Sequence, residues 1–454
     1  QVRISSDLTP IQKIEAADMI NRNRDVFSTK PGQTTETYHH IHTIPGAKVT
    51  LRPYRIPAAK REEIKAEVKK MLELGVIEES YSQWSSPIVL VPKPDGTMRF
   101  CNDFRQLNEI SQFDAHPILR IDELVDRLGS AQFLTTLDLT KGYWQIPLTK
   151  EAKEKTVFST PDGLFHYTVL PFGLHGAPAT FQHLMDKLLC PHTSYAAAYL
   201  DDVVIIHTPD WGTHLEKVEA VLRTLRRACL TANPAKCTIG LAEARYLGYI
   251  VGRGIVKPQM NKLEAIQNWP WLTLKKQVCA FLGVVGYYRC FIPHFATSAS
   301  PLTDLVKARG PDMVKWTDAA VRAFTALWTA LCNNPVLIAP DFNREFILQT
   351  DASEVVVGTV LSQMVGEEEH PILYLSRKLL PREQKYAVVE RECLAVKWAM
   401  EALRYYLLGR RFTLVMDHAP LQWMQRNKEK NGNIDGLSRA YCLASHVAQL
   451  YGWL

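Results

Sequence analysis

AAAYLDDVVIIHT, residues 196 to 208, places two adjacent carboxylates, Asp201 and Asp202, inside an apolar run whose flanks suit burial. An unpaired buried charge is costly, so the pair needs a reason to be there. The run reads as strand, turn and strand, with the acids at the tip of a hairpin. Earlier in the chain, Asp138 closes a second apolar strand, FLTTLDL (133 to 139). If the two strands are antiparallel neighbours, three carboxylates meet at one end of a sheet. Such a cluster repels itself alone and becomes favourable around divalent cations, whose hard character suits carboxylate oxygen. The local alternative makes Asp201 and Asp202 an ordinary turn and Asp138 a cap for a helix beginning near Lys141.

Working outward, FLTTLDLTKGYWQIPL (133 to 148) alternates as a strand does, and VFSTPDGLFHYTVLPFG (157 to 173) forms a hairpin around PDG. WSSPIVLVPKPDGTMRFCNDF (84 to 104) is a second hairpin, because Pro fixes φ and Gly accepts a positive one. GAPATFQHLMDKLL turns helical with Phe181, Met185 and Leu188 on one face. AKREEIKAEVKKMLELGVI (59 to 77) repeats Ile64, Val68 and Leu72 every four residues and ends at Gly75, a C-cap. THLEKVEAVLRTLRRACL (213 to 230) carries a helical stripe of Leu215, Val218, Leu222 and Leu225. RYLGYIVGRGIV (245 to 256) is a Gly-punctuated hairpin, LKKQVCAFLGVVGYYRCFI (274 to 292) and AAVRAFTALWTALC (319 to 332) are helices, and NNPVLIAPDF (333 to 342) reads as a linker.

From residue 345 strand-rich composition returns. FILQTDASEVVVGTVLSQ (346 to 363) carries Asp351. AVVERECLAVKWAMEALRYYL (387 to 407) is a helix with Val389, Cys393, Val396, Met400, Leu403 and Leu407 as its core stripe and Glu392 at the stripe's edge. FTLVMDHAPL ends a further element at Asp417, and IDGLSR brings Asp435.

A chain of 454 residues divides into about three or four folding units, and no apolar run is long enough to span a bilayer. The nine cysteines lie too far apart for a zinc knuckle or a disulfide framework and read as buried free thiols of an intracellular protein. His39, His40 and His42 in HHIH lack companion donors at metal-ligand spacing and read as an extended linker. A net charge of +6 permits a polyanionic partner without requiring one. The chain opens on Gln1 without a Met, as a piece cut from a longer polyprotein does.

LTTLDLTKGYWQIPL, FSTPDGLFHYTVLPFGLHGAPATFQ and YLDDVVIIH together resemble the palm motifs of reverse transcriptases of gypsy-type LTR retrotransposons, and the resemblance extends over nearly all of residues 38 to 439. It implies an α+β multidomain fold: a right-hand polymerase with fingers, palm and thumb, a connection, and a C-terminal RNase H-like α/β domain. The implied segments are an N-terminal extension (1–50), fingers and palm (51–211), thumb-like helices with a primer-grip hairpin (212–300), a connection (301–344), an RNase H-like domain (345–439) and a tail (440–454). Metal ligation falls to Asp138, Asp201 and Asp202. Tyr143 becomes the steric gate against a ribose 2′-hydroxyl, and Lys93 and Arg99 hold the incoming triphosphate. Phe172 stands in LPFG, where retroviral enzymes have Gln. YLGY (246 to 249) looks like the primer grip.

In the RNase H-like domain the resemblance implies Asp351, Glu392, Asp417 and Asp435 as metal ligands. The implied cofactors are two Mg²⁺ or Mn²⁺ ions per site. The partners are an RNA template, a DNA primer, an RNA:DNA hybrid and dNTPs, with no membrane, and with a dimer or polyprotein neighbours left open; the setting is a cytoplasmic particle or the nucleus. The family places a helix and a strand between the third and fourth acids, whereas 17 residues separate Asp417 from Asp435 here. Extended, those residues reach about 50–60 Å, so reach is sufficient and the positioning element is what is lost. The expectation is a polymerase with an RNase H domain that is shortened near 430 and weakened. The competing reading is a domesticated or decayed element that binds nucleic acid without turnover.

Overall fold

The computed structural model describes residues 1–57, 60–92, 98–112, 121–199, 203–259, 272–307, 312–333 and 335–416. Asp201, Asp202, Lys93, Asp417, Asp435 and the shortened segment near 430 lie outside the described residues. The chain folds as two compact units: Gln1–Leu124 with Ala131–Ala244, and Val125–Ser130 with Arg245–Leu454. Among the described residues no helix is long and apolar enough to cross a membrane. The eight described cysteines are unpaired as expected, but only Cys237 and Cys393 are buried.

The first unit is built on a five-stranded sheet in the spatial order Arg3–Ile4, Thr238–Leu241, Phe133–Asp138, Val203–Thr208, Ala196–Ala198. Phe133–Asp138 and Val203–Thr208 pair antiparallel, from Phe133 opposite Thr208 to Asp138 opposite Val203. The neighbour relation expected from the sequence is therefore the one the fold adopts. The short hairpin Phe158–Thr160/Gly163–Tyr167 extends through Ile77–Glu79 into a three-stranded sheet, and Ile88–Pro92 pairs with Met98–Asn102.

Helices cover these sheets, among them Arg61–Glu73, Ala177–Leu189 and Trp211–Arg227. In Arg61–Glu73 the buried stripe is Ile64, Val68 and Met71, while Leu72 is exposed, a correction of one position from the expected stripe. Both spacings fit a 3.6-residue period, and the packing partner selects between them. Gly75 follows with φ +67°. Ala177–Leu189 buries Phe181 and Met185, with Leu188 only partly covered. Trp211–Arg227 buries Val218, Val221, Leu222 and Leu225 in the same core as the strand residues Leu137 and Ile206, so it packs with the five-stranded sheet. The two units divide at Ala244/Arg245.

Asp210 caps that helix, accepting from Thr213 N at 2.9 Å, and one turn further His214 lies fully buried against the two central strands. Its Nε2 is 2.8 Å from Thr135 Oγ1 and its Nδ1 is 2.8 Å from Thr208 Oγ1. Thr135 Oγ1 accepts from Gly240 N, and Thr208 Oγ1 donates to Asp210 O. These bonds fit a neutral ring that donates from Nδ1 and accepts at Nε2.

The second unit contains two sheets. Ala244–Tyr246, Tyr249–Gly252, Ile255–Pro258 and Leu337–Ile338 form one, in that order. Leu337–Ile338 lies in NNPVLIAPDF, so this stretch is an edge strand paired with Ile255–Val256 and not merely a linker. Helices Lys275–Tyr287, Phe295–Lys307 and Asp318–Cys332 follow the hairpin. Phe295–Lys307 runs through the expected 300/301 border with Pro301 inside it. An internal proline costs about 3 kcal/mol. Docking on the strand Glu368–Lys378 offsets that cost: Ser376 Oγ accepts from Ala296 N at 2.8 Å, and Lys378 Nζ lies 3.8 Å from Asp304 Oδ1.

The other sheet runs Glu368–Lys378, Val356–Val365, Phe346–Ala352, Phe412–Met416. Its first three strands are antiparallel, and Phe412–Met416 joins parallel to Phe346–Ala352. The helix Val388–Ala402 packs on it through Cys393, Val396, Ala399 and Met400. Leu403 and Leu407 continue the buried stripe past the helix end.

Burial lowers the His214 pKa to about 4, with His207 adding to the shift and Asp210 opposing it. The unfolded ring, near 6.5, then binds more protons than the folded one between these values, so stability is complete above pH 6.5 and falls as pH drops toward 4. The loss is on the order of 3 kcal/mol. Urea unfolding of the first unit across pH 4–7 should show this slope, and His214→Gln should remove it; equal slopes in parent and variant would refute the assignment.

Candidate active site

Asp138 is the last residue of its strand, opposite Val203, and Val203 directly follows Asp202 in the chain. Alternate strand residues point to opposite faces, so with Thr135 turned to His214 beneath the sheet, Asp138 lies on the other face. Its carboxylate is one-fifth exposed and meets Lys236 Nζ at 3.0 Å (Oδ2) and 3.3 Å (Oδ1). Its carbonyl accepts from Asn233 N at 2.7 Å. Asp138 caps no helix: the 3₁₀ turn Gly142–Gln145 that follows has Lys141 as its N-cap and no side-chain capping bond.

Lys236 did not emerge from the sequence. It sits in the turn Asn233–Cys237, where Asn233 Oδ1 accepts from Ala235 N at 3.0 Å and Asn233 O accepts from Lys236 N and Cys237 N. The Asn-Pro pair announces the turn, but only the pairing of the next strand, Thr238 against Thr136, brings the ammonium to Asp138.

Tyr143 stands in the 3₁₀ turn, 6% exposed, with its ring centroid 5.1 Å from Phe172 and 5.7 Å from Phe181. Lys141, in a left-handed conformation (φ +46°), sets its ammonium 3.7 Å from the Trp144 ring centroid. The turn is held from below by Gln145, which donates to Thr140 O and Thr231 O at 2.9 Å each and accepts from Thr231 N at 2.8 Å. Phe172 is 48% exposed and covers Tyr143 from the solvent side. Gly173 beside it has φ +99°, a conformation that favours glycine, and its carbonyl accepts from Asn108 Nδ2 at 2.9 Å. Arg99 projects from the exposed side of Met98–Asn102, opposite Val91.

Not every acid here is available for chemistry. Asp103 accepts from Arg105 Nε and Nη2 at 2.8 and 2.7 Å and from the Tyr54 hydroxyl at 2.9 Å. The Arg105 bonds hold its carboxyl well below the usual carboxylate range, and its oxygens are committed to the frame.

In the second unit Asp351 is the penultimate residue of Phe346–Ala352 and exposed, while Glu392 is 8% exposed in the helix packed against that strand. Thr350, just before Asp351, pairs with Met416, just before Asp417 in the chain. Among the described residues no three His, Cys, Asp or Glu side chains stand together as a metal site, and this includes HHIH, where His39 Nδ1 bonds Thr180 Oγ1 at 2.8 Å and the His40 and His42 rings stack. The described donors at both sites are carboxylate oxygens at strand ends or beside them, the chemistry a hard divalent cation takes.

Residues 91–251 match the family model for reverse transcriptase (RNA-dependent DNA polymerase), and residues 341–439 match that for the RNase H-like domain found in reverse transcriptase. The chain is 38% identical over 408 residues to the retrovirus-related Pol polyprotein from transposon 297 of Drosophila melanogaster, covering 88% of this chain and 38% of that protein. It is 35% identical over 445 residues to the Pol polyprotein from transposon gypsy of the same organism, covering 93% and 42%. It thus spans about two fifths of the length of these curated relatives. The fold is similar to that of a foamy viral protease-reverse transcriptase solved in complex with double-stranded DNA, with a TM-score of 0.86 and 22% identity over 98% of this chain and 78% of that one. The same foamy viral protein in complex with an RNA/DNA hybrid gives a TM-score of 0.78 at 21% identity, over 97% and 60%. The chain thus carries a reverse transcriptase domain followed by an RNase H-like domain, the pattern of the corresponding region in the gypsy-type LTR-retrotransposon Pol polyproteins it matches.

Proposed function

We propose that this chain is an RNA-directed DNA polymerase that copies RNA and DNA templates, joined to an RNase H domain that acts weakly on RNA:DNA hybrids. The observation that carries the reading is the register of Asp138 against Val203, because it brings the strand after YLDD alongside the first acid. Asp138, Asp201 and Asp202 are the proposed ligands of the polymerase site, and Asp351, Glu392, Asp417 and Asp435 those of the nuclease site. Two divalent cations per site, Mg²⁺ or Mn²⁺, supply Lewis-acid activation of a hydroxyl or water and charge stabilisation at the leaving oxygen when bound.

The chain's own residues do the rest. The buried frame under Asp138 fixes its oxygens, so little reorganisation is needed at reaction. Tyr143, wedged between Phe172 and Phe181, presents a rigid wall where a ribose 2′-hydroxyl would have to fit. Exposed Arg99, with Lys93, supplies cationic contacts to a triphosphate. Duplex recognition then rests on backbone charge and shape, which suits a polymerase without base preference. The foamy viral neighbours in complex with double-stranded DNA and RNA/DNA hybrid support such partners. The proposed setting is intracellular, where template and dNTPs are found.

Primer extension on an RNA template tests this. Asp138→Asn, and Asp201→Asn combined with Asp202→Asn, should each lower the rate by about 10³-fold or more, equivalent to several kcal/mol of transition-state stabilisation. Extension absent from the parent, or unaltered in both variants, would sink the polymerase reading. Tyr143→Ala should relax discrimination against ribonucleotides by roughly 10- to 200-fold, the range open to a steric pocket, in single-nucleotide insertion with matched dNTP and rNTP. The shortened passage before Asp435 predicts slow hybrid cleavage in Mg²⁺ beside intact extension, with Glu392→Gln removing the remainder. Robust cleavage by the parent would contradict the weakened nuclease.

A further inference from the structure

Leu247 and Gly248 form the two-residue turn between Ala244–Tyr246 and Tyr249–Gly252, and both have positive φ, 47° and 82°. That is the pattern of a primed hairpin turn. Glycine adopts it freely; leucine is held there against its preference. Two hydroxyls hold it. Tyr287 donates to the carbonyl of Leu247, and Tyr288 donates to the carbonyl of Gly248 at 2.8 Å. Gln259 N also donates to Gly248 O, at 3.0 Å, and the Tyr249 hydroxyl donates back to Tyr287 O at 3.3 Å.

The rings make this anchor stiff. Tyr287 and Tyr288 meet edge to face at 5.1 Å, Tyr249 lies 5.3 Å from Tyr287, and Phe291 closes the cluster 6.1 Å from Tyr249. Tyr288 is 1% exposed, and burial pushes its hydroxyl up to about 12, so it stays a donor at working pH. A Cβ on Gly248 would stand 3.2 Å from Tyr288 Oη and 3.4 Å from Tyr287 Cε1, which ties the choice of glycine to the same two rings. Phenylalanine at both positions would satisfy the packing. What packing does not require is two hydroxyls on successive carbonyls of one strained turn.

We propose that Tyr287 and Tyr288 are positioning residues for polymerisation, whose hydroxyls fix the Leu247–Gly248 turn in the geometry that presents the primer end. This rests on the reading of YLGY as the primer-holding turn within the proposed polymerase. The two residues act through the turn and not on the reacting atoms. Their effect belongs in the rate with nucleotide bound, because the dNTP contacts are made elsewhere.

The test compares the full chain with Tyr287→Phe, Tyr288→Phe and the double variant, all of which keep the rings. Thermal unfolding should shift by no more than about a few degrees per hydroxyl and the KM for dNTP should be unchanged, while the extension rate at saturating dNTP falls roughly fivefold to tenfold per hydroxyl, the worth of a hydrogen bond of ordinary strength. Hydrogen exchange of the backbone amides of 246–250 should accelerate by a similar factor. Unchanged saturating rates in the double variant of a chain that extends primers overturn the positioning role, as does unchanged exchange in that segment. A parent chain without extension fails the polymerase reading itself and takes this role with it, whatever exchange shows.

Discussion

The pairing of Phe133–Asp138 with Val203–Thr208 is the constraint on which the first unit depends. Strand side chains alternate between faces, so a slip of one residue would send Asp138 into the core and a core residue into the solvent. His214 opposes that slip from beneath, bonded to one threonine on each strand as a buried neutral ring. Its bonds lie on the face away from the carboxylate. The frame thus locks the register without consuming any oxygen of the site it serves.

That arrangement explains why the acids could be read from sequence while their immediate electrostatics could not. The alternation of FLTTLDL and the continuous apolar run of VVIIHT are local, and each strand announces itself. Their adjacency is supported by the combination of motifs, since a carboxylate cluster makes sense only if the strands meet. Lys236 gives no such signal. It lies 98 residues from Asp138 in sequence, in a turn whose residues describe only the turn. The same division runs through the fold. Leu337–Ile338 looks like linker because its partner, Ile255–Val256, is some eighty residues away, and a two-residue edge strand has no period to detect. The stripe on Arg61–Glu73 slipped by one place because Met71 and Leu72 fit the helical period equally well and only the packed neighbour distinguishes them. Pro301 inside Phe295–Lys307 breaks a local rule in the same way, and docking on Glu368–Lys378 holds the helix through it.

The two acidic sites share one construction and differ in how charge is balanced. In each, an acid sits at or next to the end of a central strand, and the neighbouring strand pairs there through a residue adjacent in sequence to the next proposed acid: Val203, after Asp202, with Asp138, and Met416, before Asp417, with Thr350 beside Asp351. Asp138 has an ammonium at hydrogen-bonding distance and is largely covered. Asp351 is exposed to water, and the buried member of its set is Glu392, which comes from a helix. Water screens an exposed carboxylate cheaply, whereas a buried one must be balanced by a partner. The proposed nuclease site would therefore rely more on the placement of its later acids. On the proposed reading, the shortened sequence between the third and fourth acids removes placement that the exposed Asp351 does not replace, whereas Asp138 keeps its paired strand frame.

A carboxylate cluster of the proposed kind and a turn held at positive φ are both locally unfavourable, and each depends on surroundings that over-determine it. At Asp138 the over-determination is a strand register backed by buried polar bonds. At Leu247 and Gly248 it is a pair of tyrosine hydroxyls set in an aromatic cluster. His214 acts from the face of the sheet away from the Asp138 carboxylate, and the tyrosines bond only the backbone carbonyls of the turn. Rigid support from behind leaves the working face free to meet substrate, and this is why the residues that matter most to the geometry are the buried threonines, His214, Gln145 and Tyr288, none of which carries a charge at neutral pH.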